Sequence, residues 1–224
     1  MNTYKKIYVD VGAAGGGWCS MWQKDPGDID VIYAFEPNRS TLKYLRKTAS
    51  SCKNIVVNEE AITNMDGVLT FYENNAFDTS SLLPFDEYGI KKYCQVTNQN
   101  LLKTNTTYEV KCVKLKTFMD RIGIDHIDFL KIDTQGQDLE VVKSLDDYIK
   151  RVKKVYLEVQ VMDGYEIYKN QSKKQDVLNY MSNYNFIVER IDVQGLEENI
   201  LFNNEKWEVK NWQLFLGRTN KIKG

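Results

Sequence analysis

The segment IYVDVGAAGGGW, residues 7–18, joins an apolar run to six consecutive Gly and Ala residues. The apolar half has the composition of a strand that is buried on both faces of a parallel sheet. A glycine-rich turn between such a strand and a helix lets the backbone approach a ligand closely. No Gly-Lys-Ser/Thr ending follows, so the segment is not a P-loop. It therefore predicts the first strand of an α/β sheet, with a binding site at the carboxyl end of that strand.

The rest of the chain alternates apolar runs of strand length with segments of helical period. This alternation is typical of a parallel sheet covered by helices. The predicted strands are residues 6–11, 31–35, 55–57, 127–132 and 155–159. Residues 186–192 and 212–216 are also predicted strands, and no helical period separates them, which indicates an antiparallel pair at the sheet edge. We therefore predict a single α/β domain over residues 1–224.

One segment does not follow this pattern. Residues 74–107 are polar, rich in Asn and Thr, and poorly periodic. A segment of this length without secondary structure is uncommon inside a compact domain and usually serves as a lid or a binding loop. We therefore predict a lid or a substrate-binding insertion here.

Composition and charge narrow the class of partner. The chain has 224 residues, 42% of them hydrophobic, and its 30 basic and 31 acidic residues give a net charge of −1. Proteins that bind nucleic-acid phosphates usually carry a basic excess, so we expect no nucleic-acid partner. No apolar run is long enough for a membrane span, and no signal-peptide pattern precedes the first strand, so we expect a cytoplasmic protein.

The sequence does not indicate a metal site. The four Cys residues are scattered without a Cys-x-x-Cys pair, and His126 is the only His. Zinc sites need closely spaced Cys or His ligands, so we expect free thiols and no metal. His126 precedes the amino end of a strand, which is the edge away from ligands, and we expect it to be a surface or loop residue.

Glu36 gives the first indication of the ligand. It ends the second predicted strand, about 20 residues after Gly16, where an acidic residue binds the hydroxyl pair of a ribose. The spacing predicts a ribose-bearing nucleoside and leaves NAD and S-adenosylmethionine open.

Asp10 favours one of these two cofactors. It lies on the strand just before the glycines, where a carboxylate is unfavourable for the pyrophosphate of NAD. A negative charge there suits a ligand that carries an ammonium group and a sulfonium. The position of Asp10 therefore favours S-adenosylmethionine.

Several stretches together resemble the FkbM family of S-adenosylmethionine-dependent methyltransferases. The similarity runs from about Ile7 to Arg218, and its order and spacing are more specific than any single motif. KIDTQG, residues 131–136, is the most diagnostic part. The matching stretches are VDVGAAGGGW, FEPN, NEEAITNMDGVLTFY, TSSL, LKTFMDRIGIDHIDFLKIDTQGQDLEVVKSL, YLEVQ and WQLFLGR.

The resemblance implies a fold and a cofactor site. The fold is that of the Rossmann-like class I methyltransferases, a mostly parallel seven-stranded sheet with an antiparallel C-terminal edge hairpin and helices on both faces. The cofactor is S-adenosylmethionine. The residues implied at the cofactor site are Asp10, Gly12, Ala14, Gly16, Glu36, Pro37, Ala61, Ser81 and Asp133.

Three side chains are candidate catalytic residues. Strand alternation places Lys131 and Asp133 of the KIDTQG motif on one face, at the carboxyl edge of their strand. Glu158 lies at the corresponding edge of the next strand, and we expect it to face Asp133 across the cleft. If the acceptor is a hydroxyl, a base must take its proton, and Asp133 is the first candidate and Glu158 the second. Gln135 departs from the family pattern, which usually has Glu there.

The resemblance implies an O-methyltransferase that acts on a hydroxyl of a small molecule, such as a sugar, a glycan precursor or a polyketide-like natural product. Two alternatives stay open. Gln135 removes a carboxylate from the expected active face, which would suit a catalytically weak binding subunit that keeps the cofactor fold. The third hypothesis is an NAD-dependent oxidoreductase, which the position of Asp10 disfavours. The sequence leaves a homo-oligomer open.

Overall fold

The computed structural model describes residues 5–24, 29–98, 101–161 and 166–207. The strands are β1 (Ile7–Val11), β2 (Val31–Phe35), β3 (Ile55–Asn58), β4 (Ala61–Ile62), β5 (Gly67–Asn74), β6 (Thr104–Val113), β7 (Ile127–Ile132), β8 (Val152–Gln160), β9 (Phe186–Gln194) and β10 (Glu197–Asn204). The α-helices are α1 (Gly17–Trp22), α2 (Arg39–Ser50), α3 (Glu87–Thr97), α4 (Leu115–Ile122), α5 (Asp138–Lys143) and α6 (Lys174–Asn183). Two 3₁₀ helices span Phe77–Thr79 and Asp146–Arg151.

Within the described residues, seven strands form one sheet in the order β3-β2-β1-β7-β8-β10-β9. The pairs from β3 to β8 are parallel, whereas β10 is antiparallel to both of its neighbours. The chain moves outward from β1 to β3 and then returns to place β7 on the other side of β1. Ligands bind at such a switch point, outside the carboxyl ends of the strands. The predicted fold class is confirmed.

The strands at the centre of the sheet are buried because their side chains are apolar on both faces. Leu130 and Ile132 of β7 are fully buried, as are Phe118 and Met119 of α4 and Val142 of α5. Full burial of one such side chain stabilises the folded state by about 1.5–3 kcal/mol. This packing fixes the carboxyl edge of β7, which carries the KIDTQG motif.

A second, smaller sheet has the order β4-β6-β5. Strands β5 and β6 are antiparallel, and β4 is parallel to β6. Ala61, Phe71, Val110 and Cys112 form its buried side. This sheet brings Ala61, Ile62 and Phe71 to the carboxyl edge of the main sheet, where they become part of a cleft.

Residues 74–107 contain more secondary structure than the sequence predicts. They hold the first 3₁₀ helix, α3 and the beginning of β6. The Asp86 carboxylate caps α3 by accepting a hydrogen bond from the Gly89 N–H. Ile90 and Cys94 of α3 pack with Phe85 in a separate apolar cluster. The expectation of a segment without secondary structure is therefore wrong, and a role as a lid stays a prediction.

The antiparallel C-terminal hairpin is confirmed, and it contains a strand that the sequence did not predict. Strand β9 pairs with β10, which lies at residues 197–204. Buried polar side chains, Glu198, Asn199 and Asn204, hid this strand from a search for apolar runs. The predicted strand 212–216 lies outside the described residues. No helix in the described ranges has the length and apolar character needed to cross a membrane.

Candidate active site

A cleft of about 680 Å³ opens at the carboxyl ends of β1, β2 and β7. Its walls come from the glycine-rich turn, the β2–α2 junction, the small sheet and the loop after β7. The predicted site residues that line it are Gly12, Ala14, Glu36, Pro37, Ala61 and Asp133. Asp10, Gly16, Ser81, Lys131 and Glu158 lie outside this lining. The structure thus separates the predicted residues into those that face the cleft and those that support it.

The glycine-rich turn is shaped by its neighbours as well as by the cleft. Gly12 has a φ of 76°, and a Cβ atom there would lie 1.9 Å from the carbonyl oxygen of Asp133. Any side chain at Gly12 would therefore displace the loop after β7. Gly16 is left-handed, with a φ of 83°, and packs tightly against Leu45 and Thr48 of α2. Gly16 therefore sets the approach of α2 to the turn.

Glu36 holds the turn and the start of α2 in place. Its carboxylate accepts hydrogen bonds from the Ala14 N–H, at 2.6 Å, and from the Asn38 N–H, at 2.7 Å. Burial raises the pKa of Glu36 to about 7, against the lowering effect of these two donors and of the Thr41 hydroxyl. A carboxylate has about four lone-pair sites, so Glu36 retains capacity to accept a hydrogen bond from a hydroxyl group in the cleft.

Asp10 and Lys131 form a buried ion pair beneath the turn. Lys131 Nζ lies 3.1 Å from Asp10 Oδ1 and 3.6 Å from Asp133 Oδ2, and it donates a hydrogen bond to the carbonyl oxygen of Gly12. Burial alone would lower the pKa of Lys131, but the two carboxylates outweigh it and raise that pKa. Asp10 is therefore the counter-charge of Lys131 and does not face the cleft. Lys131 stays protonated near neutral pH and is unsuited to act as a base.

Asp133 is the predicted catalytic residue that reaches the cleft. It lies just past the end of β7 and its side chain is 38% exposed. Gln135 Nε2 donates to Asp133 Oδ1 at 2.8 Å and to Glu158 Oε2 at 3.1 Å. The expected approach of Glu158 to Asp133 is thus found, with the amide of Gln135 between the two carboxylates. Burial raises the pKa of Glu158, and the charge of Asp133 raises it further.

Ser81 supports the loop after β7 instead of lining the cleft. It is 1% exposed, and its hydroxyl donates to the carbonyl oxygen of Gln135 at 2.7 Å. Its neighbour Ser80 lines the cleft. In the TSSL motif, Ser80 therefore faces the cleft, whereas Ser81 fixes the backbone of Gln135. That backbone is left-handed, with a φ of 57°.

Sequence reasoning missed two acidic residues and one Tyr near Asp133. Asp78 lines the cleft, and Glu197 lies close enough for Asp133 and Asp78 to raise its pKa, after burial as the main cause. The hydroxyl oxygen of Tyr168 lies 3.0 Å from Gln135 Oε1. Asp78 directly precedes the TSSL motif, so its position next to that motif could have indicated it. Glu197 and Tyr168 come from elements that no motif marked.

The cleft fits a nucleoside-like ligand. Asn38 Nδ2 and Thr134 Oγ1 are buried at its wall and make no hydrogen bond within the part of the chain that the structure describes. A buried polar group without a partner costs about 1–3 kcal/mol, which a ligand with acceptor atoms would offset. Glu36 provides an acceptor for a hydroxyl group. Apolar walls suited to a flat ring come from Phe35, Ile62, Phe71 and Leu82.

A model of the methyltransferase FkbM domain matches residues 10–188. This range covers β1 to β9 and includes Glu36, Asp133 and Glu158. No curated protein sequence matches the chain. The family match removes the oxidoreductase alternative and confirms the resemblance that the motifs indicated.

Solved structures give the same fold. Methyltransferase FkbM from Methylobacillus flagellatus KT is 15% identical, with a TM-score of 0.56 over 88% of this chain and 43% of that chain. Fibrillarin from Aeropyrum pernix, solved with natively bound S-adenosyl-L-methionine, is 11% identical, with a TM-score of 0.50 over 88% of this chain and 66% of that chain. The chain thus spans less than half of the first structure. Similarity at these identities shows the fold alone.

Proposed function

The chain belongs to the methyltransferase FkbM family, whose members depend on S-adenosylmethionine, and we propose that it methylates a hydroxyl group of a small molecule. The acceptor is a sugar, a glycan precursor or a related natural product. The observation that carries the proposal is the position of Asp133, which exposes a carboxylate at the cleft while its neighbours hold it from behind. A carboxylate in this position can take the proton of an acceptor hydroxyl.

Residues of the cleft divide the binding of the cofactor among them. With the cofactor bound, Glu36 would accept hydrogen bonds from the ribose hydroxyls, and Asn38 would donate its free amide N–H to an acceptor atom of the nucleoside. Ala61 would lie beside the adenine, and Pro37 lines the same cleft. When bound, S-adenosylmethionine supplies an activated methyl group on its sulfonium. The small side chain of Ala14 and the bare backbone of Gly12 leave room for the rest of the molecule.

The protein then has two tasks, which are placement and proton removal. Placing the acceptor oxygen in line with the methyl group removes translational and rotational freedom before the reaction, and such placement accounts for up to about 7–11 kcal/mol in model reactions. Asp133 orients the hydroxyl by accepting its hydrogen bond and takes the proton as the new bond forms. Glu158 is the second candidate for the base, but Gln135 separates it from the cleft.

The charge at the mouth of the cleft supports a neutral acceptor. Asp78 and Asp133 line the cleft, and Glu158 and Glu197 lie behind them. Like charges at close range repel, so the carboxylates of Asp78 and Asp133 disfavour phosphorylated acceptors and nucleic acid. The balanced net charge of the whole chain agrees with this preference.

Methyl transfer from labelled S-adenosylmethionine tests the proposal. The purified chain is incubated with matched sets of neutral sugars, aminosugars and sugar phosphates, and products are identified by mass spectrometry and NMR. We expect the label in a methyl ether of an unphosphorylated acceptor. Label on nitrogen or carbon, or only on phosphorylated acceptors, would contradict the proposal.

A catalytically weak binding subunit is the second candidate, and Gln135 is the observation that favours it. Such a protein would bind S-adenosylmethionine, show a thermal shift and transfer no label to any acceptor. The hydrogen bonds of Gln135 to Asp133 and Glu158 give it a role in an enzyme as well, so the departure from Glu does not by itself imply lost activity.

A further inference from the structure

Every polar atom of the Gln135 side chain is used. Nε2 donates to Asp133 and to Glu158, and Oε1 lies 3.0 Å from the hydroxyl oxygen of Tyr168. The backbone of Gln135 is left-handed, with a φ of 57°, and its carbonyl oxygen accepts the hydroxyl hydrogen of Ser81. Asp133, Glu158 and Tyr168 thus hold the side chain in one rotamer, and Ser81 holds its backbone.

The orientation of the amide follows from these neighbours. If its nitrogen and oxygen were exchanged, the amide oxygen would face the ionised Asp133, and both hydrogen bonds from Nε2 would be lost. Burial raises the pKa of Tyr168 well above its usual range, so its hydroxyl stays neutral. Its single hydrogen is shared between the carbonyl oxygen of Thr79, at 2.7 Å, and Gln135 Oε1, at 3.0 Å. The NH₂ group therefore points to Asp133 and Glu158, with one N–H for each carboxylate.

An amide at this position has a specific electrostatic effect. Two carboxylates that share a site raise each other's pKa, and a donor shared between them lowers both. A Glu at position 135 could donate one proton at most, and when ionised it would add a third negative charge. Gln places a neutral donor between the two carboxyl groups without adding a charge.

We propose that Gln135 is a positioning residue that holds the Asp133 carboxylate aimed into the cleft by sharing its amide between Asp133 and Glu158. The proposal rests on the role of Asp133 as the base in the proposed function. Gln135, which stands where the family usually has Glu, would thus take part in the acid–base chemistry of this chain.

Other titratable groups also act on this pair. Lys131 lies 3.6 Å from Asp133 and favours its ionised form, whereas the surrounding acidic groups oppose it. The groups that face Asp133 and Glu158 from the elements packed around them are Asp78, Tyr93, Lys131, Asp138, Tyr168 and Glu197. Apart from Lys131, the charged groups in this set are acids. The amide of Gln135 is the neutral donor that contacts both Asp133 and Glu158.

The first test compares Gln135→Glu and Gln135→Met with the wild type. Both substitutes are unbranched at Cβ, so the left-handed backbone costs them about as much as it costs Gln. We expect kcat at neutral pH to fall by about tenfold or more, and the acidic limb of the kcat–pH profile to move up by about one pH unit. The affinity for S-adenosylmethionine changes by less than about threefold, because Gln135 does not hold the ribose. Gln175→Glu, an exposed site on α6 with the same change in charge, leaves all of these values unchanged.

The second test needs no turnover and so separates this proposal from the proposed function. The chain is labelled with ¹³C at the Asp carboxyl carbons and titrated by NMR without acceptor, with the Asp133 signal assigned from Asp133→Asn. We expect the pKa of Asp133 to rise in both Gln135 variants. This rise without any methylation of hydroxyl compounds would contradict the proposed function and leave the role of Gln135 intact.

An unchanged Asp133 titration in Gln135→Met, in a protein whose thermal unfolding matches the wild type, would overturn the proposal. A loss of kcat that follows a lower unfolding temperature, with the pH profile unmoved, would also overturn it, because that pattern is what a purely structural residue produces. If Gln135→Glu fails to fold, the Met variant alone decides between these outcomes.

Discussion

Asp10 and Lys131 are register partners on the adjacent strands β1 and β7, and Lys131 Nζ lies 3.1 Å from Asp10 Oδ1 with both side chains buried. The same ammonium group donates to the carbonyl oxygen of Gly12. This ion pair therefore joins the two central strands to the glycine-rich turn. It explains why a charge can occur at the centre of an otherwise apolar sheet.

Asp10→Asn is expected to destabilise the protein strongly. Removal of one partner of a buried pair leaves the other charge uncompensated, which costs about 3–5 kcal/mol in the free energy of unfolding. Urea denaturation measures this loss. Glu189→Gln, which breaks the more exposed pair with Lys154, is the control and changes stability by about 1 kcal/mol or less. A loss for Asp10→Asn no larger than that of the control would contradict the structural role of the pair.

Glu36→Gln is expected to weaken the binding of S-adenosylmethionine by about 10- to 100-fold. The variant replaces a charged acceptor of hydroxyl groups by a neutral amide, and hydrogen bonds to charged groups contribute about 1.5–3 kcal/mol. Isothermal titration calorimetry gives the dissociation constants. Unchanged affinity would show that the ribose does not bind at Glu36.

The binding of S-adenosylmethionine is also expected to depend on pH through Glu36. Its pKa in the free protein is raised to about 7 by burial, so the carboxylate is largely protonated below that pH. Hydroxyl donors bind the ionised form better, so affinity rises as the pH passes through about 7 and then levels off. Calorimetry across this range checks the trend, and the trend disappears in Glu36→Gln if Glu36 is its source.

Asp133→Asn is expected to reduce kcat by about 10²- to 10⁴-fold, which is the usual contribution of a general base. The affinity for S-adenosylmethionine stays nearly the same, because Glu36 and Asn38 are unchanged. Single-turnover rates and calorimetry on the same preparation measure both. An equal loss of turnover and affinity would show instead that Asp133 serves the structure or the cofactor.

His126 gives a pH dependence of stability that is independent of the active site. It lies in the loop before β7, one of the two places that the sequence predicts, but it is 9% exposed and therefore not a surface residue. Burial alone would lower the pKa of His126, but its hydrogen bonds with Asp128, Asp125 and the carbonyl oxygen of Lys5 outweigh burial and raise the pKa to about 9. The raised pKa means that the folded state binds this proton more tightly than the unfolded state, whose His titrates near 6.5.

The resulting stabilisation is complete below pH 6.5 and is lost as the pH rises through about 9. Across this window we expect the free energy of unfolding of the wild type to fall by on the order of 2 kcal/mol more than that of His126→Gln. Urea denaturation at the two ends of the window measures the difference. Equal losses in both proteins would show that other groups cause the pH dependence.

The central strands could be predicted because their burial requires apolar residues, which the sequence shows directly. Strands β2 and β7 have the predicted bounds. Strand β10 was missed because Asn199 is a polar residue at a buried position, which breaks the apolar run. Helix α3 was missed because only its narrow side with Ile90 and Cys94 is buried, and the rest of the helix is polar.

In the candidate site, the spacing between the glycines and Glu36 predicted a cleft residue correctly, whereas the charge of Asp10 did not predict its partner. The distance from the glycines to Glu36 predicted a residue that does line the cleft. Asp10 was expected to meet a cationic ligand, but its partner is Lys131, and that pairing depends on strand neighbours that are far apart in sequence. Gln135 was read as a lost carboxylate because its contacts with Asp133 and Glu158 arise only from the folded loop.

A crystal structure of the chain with S-adenosylhomocysteine tests the central claim most directly. We expect the ribose hydroxyls within hydrogen-bond distance of Glu36 and the sulfur atom facing open space beside the carboxylate of Asp133. A ligand whose ribose lies away from Glu36, or whose sulfur is separated from Asp133 by a protein wall, would contradict the assignment of this cleft as the site of methyl transfer.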